Sequence, residues 1–477
     1  MSSSFLFLIA AVLGLGKAYT TTSECDYKWI TQPIDHFGIT NGTFQQRYSV
    51  FDEFYKPGGP IMFFQGEESW YLDCANTTVM YEYAKQLGGL AVSLEHRYFG
   101  QSLPFGQASH TPSNMKYLTL DNVMADAVSF IEHIKEANNG ASDSKAIVAS
   151  GSYGGFLSAA FRLNHPDTFF GSLAAAGPVK AFSNSSDPET YNWWRWVNRI
   201  YLDRSKEAAD KIQNAFTVLQ KRLQVTNGGG VSLKEELGLC SAPSPNDTVG
   251  NIQLVTDLTN VYSFATELNY PTVQLGRNPV ENPVDKIIEI TLAETDPIQV
   301  LNKTFWLWFG APGPSNAPCF NHTDPSFILK GVPLIETKPF NYITCNYVPL
   351  ASSNIPEGTI FPAAPTTSDY VPQSCKLQYG ITPMTQEDIF RRYHFSPDEI
   401  KNSTRIIWSN AEYDPTASVS VDYLPLSTDV CASRMIMTSN IAHREDLFLP
   451  GPNDSLTLTQ LRNKELQIFR EWLQHCP

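Results

Sequence analysis

Residues 145–155 read Lys-Ala-Ile-Val-Ala-Ser-Gly-Ser-Tyr-Gly-Gly, an apolar strand running into a cluster of tiny residues with Ser152 at its apex. A serine hydroxyl becomes a usable nucleophile when a sharp strand-to-helix turn thrusts it outward, and that turn needs small residues two places before and two places after. Those places hold Ser150 and Gly154. Glycine is usual at both, so Ser150 is a departure whose hydroxymethyl group must be accommodated. The hydroxyl also needs an imidazole to take its proton and a carboxylate to fix the imidazole's tautomer and stabilise its cation. The apolar run Ile406-Ile407-Trp408 leads into a loop carrying Asp414, and Met435-Ile436-Met437 leads into a loop reaching His443, 29 residues further on. Ser152, Asp414 and His443 are therefore the candidate nucleophile, acid and base, with Glu412 as the competing carboxylate. A lone loop histidine is ordinarily a solvated side chain; what favours His443 is its place after the strand beyond the acid, in a chain that has an elbow.

Acyl transfer also requires backbone N–H groups aimed at the developing oxyanion. Tyr153 supplies one by elbow geometry, and the second is expected at Gly66 or Glu67, in the loop after Ile61 to Phe64. Gly66 would allow a substrate backbone to come close. Glu67 and the adjacent Glu68 read as solvated loop charges in preference to a substrate-amine site.

The elements that must position these groups follow from hydrophobic periodicity. Ile61 to Phe64, Leu90 to Leu94, Ala146 to Ala149 and Ser172 to Ala176 read as strands, and Arg405 to Trp408 and Arg434 to Thr438 resume the pattern late in the chain. Val123, Ala127, Phe130, Ile131 and Ile134 recur at helical spacing between the second and third strands, and Phe156, Leu157, Ala160 and Phe161 mark a helix behind the elbow. Leu458, Leu461, Ile468 and Trp472 share a face of a closing helix. Strand, elbow, helix and strand, then acid and histidine, is the order of an α/β hydrolase. The sheet pattern pauses between, where Ala208, Ile212, Ala215, Phe216, Leu219 and Leu223 fall on one helix face and Leu254 to Leu268 reads as another helix. The expected organisation is a signal peptide over 1–18, an α/β-hydrolase domain in two parts over 19–181 and 404–477, and an inserted, mainly helical cap over 182–403. Trp193, Trp194, Trp196, Trp306 and Trp308 read as cap core, though they could line a substrate entry.

At 477 residues, 42% hydrophobic and 17% charged, the chain has ample material for a folded core. A formal charge of −14 argues against nucleic acid, whose phosphates call for clustered Lys and Arg. Phe5 to Leu15 is too short to span a bilayer and precedes small residues suited to signal cleavage, so the mature chain is expected in the secretory pathway without a membrane anchor. Sequons at Asn41, Asn76, Asn184, Asn246, Asn302, Asn321, Asn402 and Asn453 agree with that compartment. So do eight cysteines, whose pairing the sequence leaves open. With no CxxC pair, a zinc site is disfavoured. Neither metal nor organic cofactor is expected. Oligomeric state is open, with a homodimer allowed.

Beyond the elbow, several segments carry a resemblance. Gln32-Pro33-Ile34-Asp35-His36-Phe37 with Phe44-Gln45-Gln46-Arg47-Tyr48, Glu95-His96-Arg97-Tyr98-Phe99-Gly100-Gln101-Ser102-Leu103-Pro104, Ser152-Tyr153-Gly154-Gly155, Asp414-Pro415, and Ala442-His443 with Asp446-Leu447 resemble the signatures of the serine peptidase family that includes lysosomal Pro-Xaa carboxypeptidase, dipeptidyl peptidase II and thymus-specific serine protease. The resemblance covers roughly residues 27–180 and 400–450, with a faint echo at Gln373-Ser374-Cys375. It implies a secreted or lysosomal serine exopeptidase acting on short peptides near proline, with the same three catalytic residues. A peptidase of other specificity, an esterase or lipase, and a catalytically silent binding protein are the alternatives. Asp35, His36 and Glu95-His96-Arg97 read as buried hydrogen-bonding groups that hold loops together. Three departures stand out: Thr416 where the family usually has Trp after Asp-Pro, Leu377 where it often has Glu, and Arg444 and Glu445 in place of a second His and its apolar neighbour. Thr416 weakens the case for strict proline preference.

Overall fold

The central strands are nearly unbroken apolar runs because both faces of their sheet are covered. The structure, a computed structural model, describes residues 25–38, 40–180, 192–225, 229–274, 277–310, 318–323, 337–347, 355–364 and 370–477. The expected signal peptide and Asn184 lie outside these residues. Strands β1 (Tyr27–Pro33), β2 (Thr43–Phe51), β3 (Ile61–Gln65), β4 (Leu90–Leu94), β5 (Ala146–Gly151), β6 (Phe169–Ala175), β7 (Ile406–Ala411) and β8 (Arg434–Thr438) form one sheet in the order β1-β2-β4-β3-β5-β6-β7-β8. The β1–β2 and β2–β4 pairs are antiparallel and all others are parallel. Successive side chains alternate between faces: Ile61 and Phe63 of β3 join the core beneath helices Leu120–Ala137 and Tyr153–Asn164, whereas Met62 and Phe64 join the core beneath Val79–Leu87 and Leu456–His475.

The six expected strands and the helices between them are present. Strands β1 and β2 were hidden in the sequence because the buried side of β2 is polar. Gln46 donates to the Glu95 carbonyl (2.7 Å), Arg47 pairs with the Glu95 carboxylate, and the Ser49 and Ser93 hydroxyls bond at 2.7 Å. These bonds replace the apolar alternation by which strands are recognised.

The same polar layer takes up motif residues that lie outside the candidate triad. Arg97, fully buried, donates through Nε and Nη2 to the two carboxylate oxygens of Asp126 (2.6 and 2.7 Å), and its remaining donors reach the carbonyls of Ile34, Pro33 and Tyr117. His36 Nε2 also meets Asp126 at 2.8 Å. Burial pushes the Asp126 carboxyl up, but the charge and hydrogen bonds of Arg97 outweigh it and hold the group below its usual range. One bidentate pair thus ties β1, the loop after β4 and the helix Leu120–Ala137 together.

Between β6 and β7 the described residues are mainly helical. Helices Asn192–Arg204, Lys206–Leu223, Thr248–Glu267, Pro283–Ala293 and Pro297–Phe309 enclose their own core around Trp194, Tyr201, Phe216, Tyr262 and Trp308. Every apolar position expected on the Lys206–Leu223 face is buried. Trp193, Trp196 and Trp306 are half-buried against this core, so the tryptophans are principally cap packing. Later parts of the inserted stretch behave differently: Tyr342, Ile343, Ile389 and Tyr393 pack into the hydrolase core instead. Disulfides join Cys25–Cys74, Cys240–Cys319, Cys345–Cys375 and Cys431–Cys476. Among the described residues no helix is long and apolar enough to cross a membrane.

Replacing Asp126 by Ala leaves a buried guanidinium without its counter-ion, which costs about 3–5 kcal/mol. Urea unfolding followed by tryptophan fluorescence is expected to show that loss, and a change under 1 kcal/mol would contradict the role given to this pair.

Candidate active site

Between Ala146 and Arg162 every residue is buried except Ser152. Its backbone stands at φ 58°, ψ −129°, a conformation that costs a non-glycine residue about 1–3 kcal/mol. The turn closes because its neighbours are small: a Cβ on Gly154 would collide with the Ser150 side chain. Ser150, the departure from glycine, fits because its Oγ donates to the Gln65 carbonyl at 2.8 Å and ties the ends of β5 and β3 together. Ser152 N–H bonds the Ala175 carbonyl of β6 at 3.0 Å. Behind the turn, burial pushes His96 down to about 4 and keeps it neutral. Its Nδ1 donates to the Arg97 carbonyl (2.6 Å), so Nε2 accepts from the Tyr153 hydroxyl (3.1 Å) and fixes the first side chain of the elbow helix.

Asp414 and His443 meet. His443 Nδ1 lies 2.7 Å from Asp414 Oδ2, while Asp414 Oδ1 accepts the Thr416 N–H at 2.9 Å. Asp414 is fully buried and His443 nearly so. Burial pulls the imidazole down, but the charge and hydrogen bond of Asp414, helped by Glu267, raise it above its ordinary value against the opposing charge of Arg444. Glu412 turns away and accepts the Asn440 N–H at 2.8 Å, bracing the histidine loop. The side chain of Arg444, next to His443, packs on Gly151, next to Ser152, and so brings the histidine loop against the elbow.

Two expectations about the β3 loop are corrected. The Gly66 N–H is taken by the Leu94 carbonyl at 2.7 Å, so of the two proposed donors only Glu67 remains for an oxyanion. Glycine is needed at 66 because a Cβ would come within 2.7 Å of that carbonyl; the backbone it admits is the chain's own, not a substrate's. Glu67 and Glu68 are not solvated charges but buried, at 7% and 8% exposure. Glu67 forms an ion pair with Arg444, which locks the β3 loop to the histidine loop. Burial, and then the charge of Glu67, push Glu68 up to about 8. Sequence reasoning noted Arg444 only as a departure, and it missed Glu267, whose Oε1 lies 3.9 Å from His443 Nε2. Leu377, another departure, is 87% exposed. Among the described residues no group of His, Cys, Asp and Glu could hold a metal ion.

The sheet order, with the elbow after its fifth strand and an Asp–His pair on later loops, defines an α/β hydrolase equipped for serine chemistry. The chain belongs to the serine carboxypeptidase S28 family, whose profile matches residues 32–465, and it is a serine peptidase. Human lysosomal Pro-X carboxypeptidase is 26% identical to it over 94% of this chain and 88% of that one. Prolyl carboxy peptidase like protein 5 of Caenorhabditis elegans is 27% identical over 94% and 89%, and mouse thymus-specific serine protease 24% identical over 97% and 90%.

Several buried or half-buried carboxyls around the histidine loop are shifted toward their neutral forms. Burial pushes Glu267 and Glu445 up to about 7 and raises Glu465 well above its usual range, and Glu68 stands at about 8. Glu465 and Asp446 converge on the Ser409 hydroxyl at 3.1 and 2.6 Å. A carboxyl whose pKa rises on folding contributes stability that is full below its unfolded value, near 4.5, and lost as pH climbs through the folded one. Thermal unfolding should therefore give its highest Tm on the acid side and a falling Tm between about pH 5 and 8. A Tm that rises across that range would contradict this account.

Proposed function

We propose that Ser152, Asp414 and His443 form the catalytic triad of this peptidase and that it removes residues from short peptides, near proline, by way of an acyl-enzyme. The observation that carries this reading is the 2.7 Å Asp414–His443 bond on a loop packed against the outward-turned Ser152. Ser152 Oγ attacks the peptide carbonyl as its proton moves to His443 Nε2. The tetrahedral oxyanion faces the N–H groups of Tyr153 and Glu67. Its collapse breaks the C–N bond and passes the proton to the leaving amine, and water then repeats the sequence on the ester. Asp414 holds the ring so that Nδ1 carries hydrogen and Nε2 stays open.

The preference for proline rests on the names of relatives called Pro-X carboxypeptidases. Thr416, buried beside Asp414 where the family usually has Trp, offers a smaller apolar surface, so the pocket accepts residues other than proline. The cap restricts entry to chain ends. A secretory setting, secreted or lysosomal, fits the four disulfides, and the exposed Asn41, Asn246, Asn402 and Asn453 are the sequons best placed for glycans; Asn76, Asn302 and Asn321 are half-buried.

A fluorophosphonate probe should label the wild type and not Ser152→Ala, and peptide turnover should fall about a millionfold in Ser152→Ala or His443→Ala. Labelling that persists without Ser152 would sink the assignment. Profiling a peptide library should show cleavage at a chain end with proline favoured but not required, and internal cleavage would refute the exopeptidase reading.

A further inference from the structure

His443 is held in place by the cap. Its backbone N–H donates to the Glu267 carbonyl at 3.0 Å, and its own carbonyl accepts the Tyr270 hydroxyl at 2.9 Å. Glu267 ends the cap helix Thr248–Glu267 and brings its carboxylate to 3.9 Å from Nε2. Because Nδ1 is committed to Asp414, Nε2 is the nitrogen that must receive the serine proton. A separation of 3.9 Å is too long for a hydrogen bond, so Nε2 remains available, yet it is short for a Coulomb interaction with an imidazole that is itself only 5% exposed.

We propose that Glu267 is a positioning residue for the peptidase reaction, fixing His443 from the cap side and stabilising the imidazolium that forms when Ser152 gives up its proton. This rests on the reading of Ser152 and His443 as nucleophile and base. During attack the Oγ–C bond forms and the proton arrives at Nε2, placing a cation between Asp414 and Glu267. When the C–N bond breaks the proton leaves with the amine, and the attraction ends. Stabilisation that peaks at the tetrahedral stage raises kcat more than it tightens binding.

Four charged or titratable groups face the ring. Asp414 and Glu267 favour its cation and Arg444 opposes it. Glu68, from the β3 loop, is chiefly neutral near pH 7. Glu267 is pushed up to about 7 by burial although its side chain keeps 23% exposure, and the nearby imidazole pulls it the other way. Taking its charge away lets His443 lose its proton at lower pH.

In Glu267→Gln the acid limb of kcat/KM should move down by about one pH unit. On the plateau kcat should fall about tenfold with KM within about twofold. Glu267→Asp should recover much of both effects. Tyr270→Phe removes the other cap contact without altering charge, and should lower kcat while leaving the limb in place. A limb that stays or rises in Glu267→Gln overturns the proposal, as does an equal shift in Tyr270→Phe. The pH dependence of fluorophosphonate labelling reads the same limb without peptide binding: a lower limb in Glu267→Gln than in the wild type supports the proposal, and coincident limbs overturn it, because Asp414 by itself already raises the wild-type imidazole. If labelling survives Ser152→Ala, the triad reading fails; if Ser152→Ala abolishes it but the limb stands still in Glu267→Gln, only the role of Glu267 fails.

Discussion

A single positive-φ residue at the end of the central parallel strand β5 governs this molecule. Ser152 cannot adopt φ 58° without help, and β5 and β6, each buried along its whole length, supply it. The Ser152 N–H is held by β6, the Ser150 hydroxyl by β3, and the helix behind carries Gly154 and Gly155 in its first turn because nothing larger fits against Ser150 and the end of β6. The sheet thereby converts part of its packing energy into one exposed hydroxyl. Loops that reach the same rim must then conform to it, which is why Gly151 sits under Arg444 and Glu67 closes over the elbow.

Electrostatics at the rim follow from crowding carboxyls into protein. Ions of one sign cannot all persist there, so the site divides them by role. Asp414 keeps its bond to the imidazole, Glu67 is matched by Arg444, and Glu68, Glu267 and Glu465 shift toward protonated forms. Arg444 is held as a permanent cation beside the histidine by Glu67.

The proposed nucleophile, acid and base stood out in the sequence because each follows a short apolar strand, so local pattern and chain order carried the proposal. The helices of the insertion were legible for the same reason, their buried faces repeating at helical spacing. Strands β1 and β2 were not, since Gln46, Arg47 and Ser49 bond to partners far along the chain. Glu67 and Glu68 looked solvated because two adjacent glutamates in a loop usually are; only the fold brings Arg444 to one and encloses the other. Glu267 and Tyr270 left no trace at all. Tyr270 lies 173 residues before His443, and no periodicity encodes which cap residue will face a distant loop.

The insertion has a core of its own, yet it is not an independent accessory. Besides Glu267 and Tyr270 on the histidine, Trp196 donates to the Glu412 carbonyl at 2.9 Å on the acid loop, and the helix Asn192–Arg204 packs on Pro415–Val419. A lid of this kind cannot be swapped between relatives as an interchangeable part. Any chimera that imported a foreign roof would also replace the scaffolding of the proton acceptor.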